Sequence, residues 1–227
     1  MNIIKSEGWT QYSCWDNSKI VENLYRKRCK KEVEEMTSHK QAVKLLRNII
    51  KPKETLLDVG CGSGYFYHSI KNQNLNLNYF GIDSSGKLIS IGKKYMVNYG
   101  LSSKKLINIR LEDVSQKFDH IVCINVLTYL DNIYKYLERM INLSNKSIII
   151  RESFHTRDVY KYVPDNFLDN NKKINTYINT YSIKKISLFL KRFNCDFKFI
   201  KDEYTKGKVQ KVIGHNHYWK FLKIIKK

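Results

Sequence analysis

The sequence predicts an α/β fold: a doubly wound, seven-stranded, mostly parallel sheet that closes with a C-terminal antiparallel hairpin. Three observations predict it. From residue 54 onward, short segments that are apolar on both faces alternate with amphipathic ones, the pattern of a parallel sheet covered by helices. A glycine-rich turn, GCGSG at 60–64, joins the first such segment to the helix after it. The last two apolar segments, 195–201 and 218–225, have no helix between them and therefore pair antiparallel.

Composition sets the bounds. With 227 residues, 42% apolar and 13% aromatic against 27% charged, the chain is globular with a real core, neither disordered nor fibrous. Lys and Arg number 41 and Asp and Glu 21, a net charge of +20. The lysines run through the whole chain among Asn and Ile, so they mark no single nucleic-acid face; an acidic substrate is nonetheless welcome in such a field. Five cysteines (Cys14, Cys29, Cys61, Cys123, Cys195) form no CxxC pair, so no disulfide frame and no zinc ribbon is expected, and no metal. The opening MNIIKSEGW has no apolar signal core, and the longest apolar run, 121–130, is interrupted by Asn125 and Thr128. A soluble, cytoplasmic protein is expected.

Two helices lead, forming a helical lid or cap over residues 1–50 ahead of a single domain over 51–227. The first, about 18–36, is amphipathic and basic; the second opens on a capping box, Ser38 with Gln41, and buries Ala42, Leu45, Leu46 and Ile49 before Pro52 stops it. Strands follow at 55–59, 78–83, 105–111, 120–126 and 147–152. Between them lie a helix after the glycine turn, one over 85–98 started by Ser84 or Ser85, and one capped by Asp131 that buries Ile133, Leu137, Met140 and Ile141. A polar, Asn-rich insertion occupies about 154–181, near the substrate, and Ser182 caps a last helix with Ile183, Ile186 and Leu190 inward.

The chemistry concentrates at the carboxyl ends of these strands, where an open α/β sheet binds its ligand. In DVGCGSGYF, Asp58 ends the first strand, and Gly60, Cys61, Gly62 and Gly64 make a turn that lets a ligand approach the backbone. Tyr65 stands where a dinucleotide fingerprint needs a small residue, so the loop is poorly made for pyrophosphate. LLDVGCGSGYF resembles the first motif of the class I S-adenosylmethionine-dependent methyltransferases, and the resemblance extends over about 38–225. It implies the Rossmann-like fold of that class, S-adenosyl-L-methionine as cofactor and S-adenosyl-L-homocysteine as product. By the same resemblance Asp83, followed by Ser84, takes the ribose hydroxyls; Glu112 and Asp113 read the adenine; Asn125 and Leu127 border the methionine part; and Tyr12 and Trp15 belong to a lid. Two carboxylate oxygens suit two ribose O–H donors.

Methyl transfer from a sulfonium needs an acceptor held in line with the sulfur, and proton removal when that acceptor is an amine or hydroxyl. His155 follows the fifth strand, and His215 and His217 precede the last, so these three and Tyr129 are the candidate catalytic residues expected to converge on the crevice. Arg151, Glu152 and Arg157 come from neighbouring strand ends, whereas His39, His68 and His120 read as structural. The expected activity is methylation of a small acidic or phosphorylated acceptor, O-linked ahead of N-linked, with a surface-glycan precursor as one fit. The alternatives are an RNA or DNA methyltransferase, for which CINVL after the fourth strand lacks the NPPY or DPPY pattern, and a noncatalytic cofactor-binding protein.

Overall fold

The computed structural model describes residues 14–165 and 175–227. After a single helical turn at Cys14–Asn17 come α1 (Lys19–Cys29) and α2 (Thr37–Arg47), then β1 (Thr55–Val59), α3 (Phe66–Asn72), β2 (Asn78–Asp83), α4 (Gly86–Tyr95), β3 (Leu106–Asn108) and β4 (Phe118–Ile124). The chain continues through α5 (Ile133–Leu143), β5 (Ser144–His155), β6 (Tyr162–Pro164), β7 (Asn175–Tyr177), β8 (Tyr181–Ser182), α6 (Ile183–Leu190), β9 (Cys195–Lys201), β10 (Gln210–Val212), β11 (His215–His217) and β12 (Trp219–Lys226). The main sheet has the order β3-β2-β1-β4-β5-β12-β9, with β8 added beside β5. Strands β1 to β5 pair in parallel, and β12 runs antiparallel to both β5 and β9. This is the predicted seven-stranded sheet with its antiparallel end.

Both faces of the sheet are buried, which is why its strands read as continuous apolar runs. On β4, Ile121 and Cys123 enter the cluster built with Leu137, Met140, Ile186 and Leu190, while Val122 between them packs with Ala42, Leu46, Phe66 and Ile70 on the other face. Helix α2 is thus part of the core. Among the described residues no helix is long and apolar enough to cross a membrane.

Serine caps behave as the sequence indicates at two helices, where the hydroxyls of Ser85 and Ser182 accept from the backbone N–H of Leu88 and Lys185, and Ser18 caps α1 in the same way on Val21 N–H. Elsewhere tertiary contacts win. The Ser38–Gln41 box does not form: α2 starts at Thr37, and Gln41 instead donates to Lys201 O and accepts from Glu203 N, both at 2.8 Å, tying α2 to the end of β9. Helix α5 is capped by Asn132, not Asp131. Helix α1 ends at Cys29, just before Lys31 in the left-handed region. The third strand is only three residues long, because Leu111–Asp113 turns into a 3-10 segment. A small hairpin, β10–β11, interrupts the C-terminal strand pair, and β6–β7 forms a second one within the predicted insertion.

Gly92 fixes how closely α4 approaches the glycine turn: a Cβ there would lie 2.4 Å from Ser63 O and 2.7 Å from Leu106 Cδ1. In an ordinary helix interior, Gly to Ala stabilises by about 1 kcal/mol. Here the obstacle is backbone, which cannot step aside. Gly92→Ala is therefore expected to lower the thermal midpoint, and an increase measured by calorimetry would show that α4 is not so constrained.

Candidate functional site

A cavity of about 430 Å³ opens at the carboxyl ends of β1, β2 and β4, beside the turn that follows β3. Its floor is the glycine turn. Gly60, Gly62 and Gly64 all have positive φ, and the N–H groups of Gly60 and Cys61 donate to Ile82 O, folding the turn over the end of β2. A Cβ on Gly60 would stand 2.3 Å from Val126, and one on Gly62 2.3 Å from Tyr25, so two different elements use the space that glycine leaves.

Asp83 closes this floor. Its Oδ2 accepts from Gly62 N at 2.7 Å and its Oδ1 from Ser85 N at 2.8 Å, so one carboxylate clamps the glycine turn to the entry of α4. Burial pushes its pKa up to about 6 against those two N–H donors, and nearby Asp16 adds to the rise. Asp58, buried behind it, accepts from the Tyr79 hydroxyl at 2.7 Å; burial pushes it up to about 7, with the charge of Asp83 acting in the same direction. The leading segment docks on this corner: Ser85 Oγ donates to Asp16 Oδ1 at 2.7 Å, and Trp15 meets Tyr25 and Tyr129 edge to face, with centroids 6.0 and 5.7 Å apart.

Of the residues expected at the cofactor, Asp58, Gly60, Cys61, Asp83, Ser84, Glu112, Asn125 and Leu127 line this cavity, and so does Tyr129. Gly62, Gly64 and Asp113 do not line it, and Tyr12 lies outside the described residues. Burial raises the Glu112 carboxyl, but its own backbone N–H, Lys135 and the Tyr136 hydroxyl outweigh that and hold it below the usual glutamate range. Beside it Ile109, Leu111 and Tyr136 supply an apolar wall.

The three expected catalytic histidines are not brought together on the cavity wall. β5 continues past Arg151, its last partner on β4, to His155, whose ring packs on Tyr218 at 3.8 Å. His217 is fully buried behind the wall, 3.2 Å from Thr128 Oγ1 and packed on Trp219; burial lowers its pKa. His215 precedes it in the same hairpin, whose turn presents Val212 and Ile213 to the cavity instead.

The histidine on the wall is His39. It stacks on Tyr65 at 4.7 Å and meets Phe66 edge to face; burial, then Arg28 and Arg151, lower its pKa to about 3, so it is neutral. Tyr25, Arg28 and Tyr65 complete this side: the Arg28 guanidinium lies over both rings, at 5.0 and 4.8 Å, and donates to Tyr65 Oη at 2.9 Å. Sequence reasoning missed this cluster. The signal was the i, i+4, i+7 spacing of Val21, Tyr25 and Arg28 on one face of α1. Among the described residues no group of three or more His, Cys, Asp or Glu is placed to hold a metal ion.

Residues 57–146 match the family model described as "Methyltransferase domain". A 57-residue stretch is 40% identical to a tRNA (guanine-N(7)-)-methyltransferase of Mycoplasma capricolum, covering 25% of this chain and 26% of that protein. An 84-residue stretch is 33% identical to the mitochondrial ubiquinone biosynthesis O-methyltransferase of Saccharomyces cerevisiae, covering 36% of this chain and 27% of that protein. The similarity thus spans about a quarter of the length of either relative. Among solved structures, an S-adenosylmethionine-dependent methyltransferase from Clostridium acetobutylicum superposes with a TM-score of 0.61 over 90% of this chain and 96% of that one, at 14% identity. The shared architecture is the class I methyltransferase fold.

The pair Asp58 and Asp83 has a pH signature. The folded pKa of Asp58, about 7, lies above the ordinary aspartate value near 4. Its stability contribution is therefore complete below about pH 4 and is lost as pH rises towards about 7. Asp58→Asn keeps the acceptor for Tyr79 and removes this titration. Its melting temperature is expected to match wild type near pH 4 and to exceed it increasingly up to pH 7.5, as thermal scans across that range will read.

Proposed function

We propose, from the class I S-adenosylmethionine-dependent methyltransferase domain that this chain carries, that the protein moves the cofactor's methyl group to oxygen on a small acidic acceptor. A phosphorylated or sugar-linked acid, such as a surface-glycan precursor, fits this description. The observation that carries the reading is the Asp58–Asp83 pair beneath a glycine turn. Two buried carboxyls, both raised by burial and Asp58 raised further by the charge of Asp83, form an acceptor set suited to a ligand that brings hydroxyls and positive charge.

In this reading Asp83 takes the ribose hydroxyls on the lone pairs that Gly62 and Ser85 leave free. Glu112 would meet the adenine edge beside Ile109 and Leu111, and Gly60, Cys61 and Leu127 would border the methionine arm. When bound, the cofactor supplies a methyl group on a cationic sulfur. The chain's part is to orient the acceptor in line with that methyl and to exclude water, and the aromatic rim of Trp15, Tyr25 and Tyr129, with the segment from Trp15 through α1 as its lid, is suited to both. Arg28 gives the acceptor's anionic part a counter-charge. Where the acceptor arrives protonated, this reading assigns the proton to Tyr129 on the wall; His39, lowered to about 3, stays neutral and does not accept one.

A second reading, methyl transfer to RNA, draws on the stretch resembling a tRNA methyltransferase. It also draws on Lys30 and Lys31, whose ammonium groups each lie 5.4 Å from the ring centres of Tyr95 and Tyr99. Phosphate contacts impose a steep salt dependence on binding; activity that is flat between about 50 and 200 mM salt separates the small-acceptor reading from this one.

Titration calorimetry tests the cofactor site directly. S-adenosylhomocysteine is expected to bind wild type, and Asp83→Ala to weaken binding at least about tenfold, the equivalent of one lost charged hydrogen bond. Because Asp83 must be ionised to accept both hydroxyls and its pKa is about 6, affinity should fall as pH drops from 7 to 5. Unchanged affinity in Asp83→Ala would refute the assignment.

A further inference from the structure

The amide of Asn125 has only one available orientation. Asn125 lies just past β4 on the cavity wall, with φ +59 and its backbone N–H donating to Arg151 O at 2.9 Å. Its side-chain Oδ1 accepts from Arg151 Nη1. Arginine carries only donors, so the atom facing it must be the amide oxygen, not the nitrogen. Arg151 cannot turn away, because its Nε donates to Asp202 Oδ1 at 2.7 Å, its guanidinium lies 4.4 Å from the centre of the Trp219 ring, and the two charged side chains are 4% and 0% exposed. Asp202 is fixed in turn by the N–H and hydroxyl of Thr205. The carbonyl of Asn125 is consumed inside the wall. Among the described residues no acceptor meets Nδ2, and its two N–H donors remain for the cavity.

We infer that Asn125 selects an oxygen nucleophile as the methyl acceptor and excludes an amine, with Arg151 and Asp202 as the positioning residues that set it; this rests on the methyltransferase reading above. The selection is one of lone-pair arithmetic. An anionic oxygen has three lone pairs, so it accepts from Nδ2 with one and attacks with another. The attacking pair forms the O–CH3 bond while the methyl's bond to sulfur breaks and its electrons stay on sulfur, leaving a neutral sulfide. An oxygen that arrives deprotonated, as a carboxylate or acidic enol does, requires no proton transfer. A neutral amine has a single lone pair. Donation from Nδ2 would occupy the pair needed for attack, and the amine's own N–H groups would meet no acceptor on Asn125. This also gives the acidic acceptor a local reason, independent of the net charge.

The test uses Asn125→Asp, which keeps the shape, the left-handed backbone and the bond to Arg151 but presents an acceptor where the donors were. Wild type and variant are incubated with S-adenosylmethionine carrying a 13C methyl and a protein-free metabolite extract, and the carbon shift of the product reports whether the label sits on oxygen or nitrogen. Melting temperature and S-adenosylhomocysteine affinity are measured alongside. The expected result is label on oxygen for wild type, a loss of at least twentyfold in Asn125→Asp, and an intact fold that binds S-adenosylhomocysteine within threefold of wild type. Label on nitrogen in wild type, or a variant that keeps half of the oxygen product, overturns the inference. So does a folded variant whose S-adenosylhomocysteine affinity falls in parallel with product, since Asn125 would then serve the cofactor. Wild type that binds no S-adenosylhomocysteine overturns the methyltransferase reading beneath it.

Discussion

The carboxylate of Asp83 is the constraint on which the rest of the site depends. Among the described residues it is the one side chain that bonds both the glycine turn and the entry of α4, and α4 in turn must stay close enough for Gly92 to touch Ser63. A buried acid with two backbone donors is stable enough to be kept, yet its raised pKa records that desolvation is only partly offset. Asp58 behind it is raised further, by burial and by the charge of Asp83. A ligand that brings hydroxyl donors and a positive centre would relieve this desolvation cost.

Behind the opposite wall, adjacent residues of β5 carry two buried acids into opposite states. Arg151 reaches Asp202, and although burial acts against it, the guanidinium and Thr205 keep that carboxyl below the usual aspartate range. Glu152 faces the other way, fully buried, with Oε2 accepting from Thr128 N and no cation on its oxygens; burial pushes it up to about 8. One face of β5 thus supplies a charged anchor for Asn125 and the other a largely neutral one for the 127–130 turn. That turn is held from outside too, by the Tyr181 hydroxyl on Leu127 O and by the Asn179 amide on Leu130 O. The segment expected as an insertion near the substrate therefore braces the cavity wall from behind as well.

Much of the fold was legible because both faces of the sheet are buried, so strand positions appear as apolar runs whatever their neighbours do. The serine caps at 85 and 182 were legible because a cap is a local contact. Ser38 and Gln41 had the same local pattern and failed, since Gln41 found a longer-range partner at the end of β9. The acids at strand ends were legible for the same reason the strands were. The histidines were not, because convergence depends on how far β5 runs past its last partner and on a hairpin inserted before β12, neither of which leaves a periodic trace. The aromatic side of the cavity was hidden by a different cause: α1 reads as an amphipathic basic helix whose apolar face has no assigned partner until its contact with α4 is known, and only then do Tyr25 and Arg28 become wall residues.

The charge distribution gives the proposed reaction a direction. The chain carries +20 overall, yet the cavity floor holds Asp58 and Asp83, with Glu112 close by. A basic exterior attracts an anionic acceptor over distances up to about 10 Å at ordinary salt, while the acids within act at contact range on whatever positive charge the cofactor brings. Transfer to an anionic oxygen removes the charge of both reacting atoms at once, so the features that assemble the reactants stop holding the products. Affinity built from opposed charges in this way lets the site bind the reacting pair tightly without retaining what it makes, and Asn125 fits that scheme because a neutral amide donor favours the charged oxygen over the methylated one.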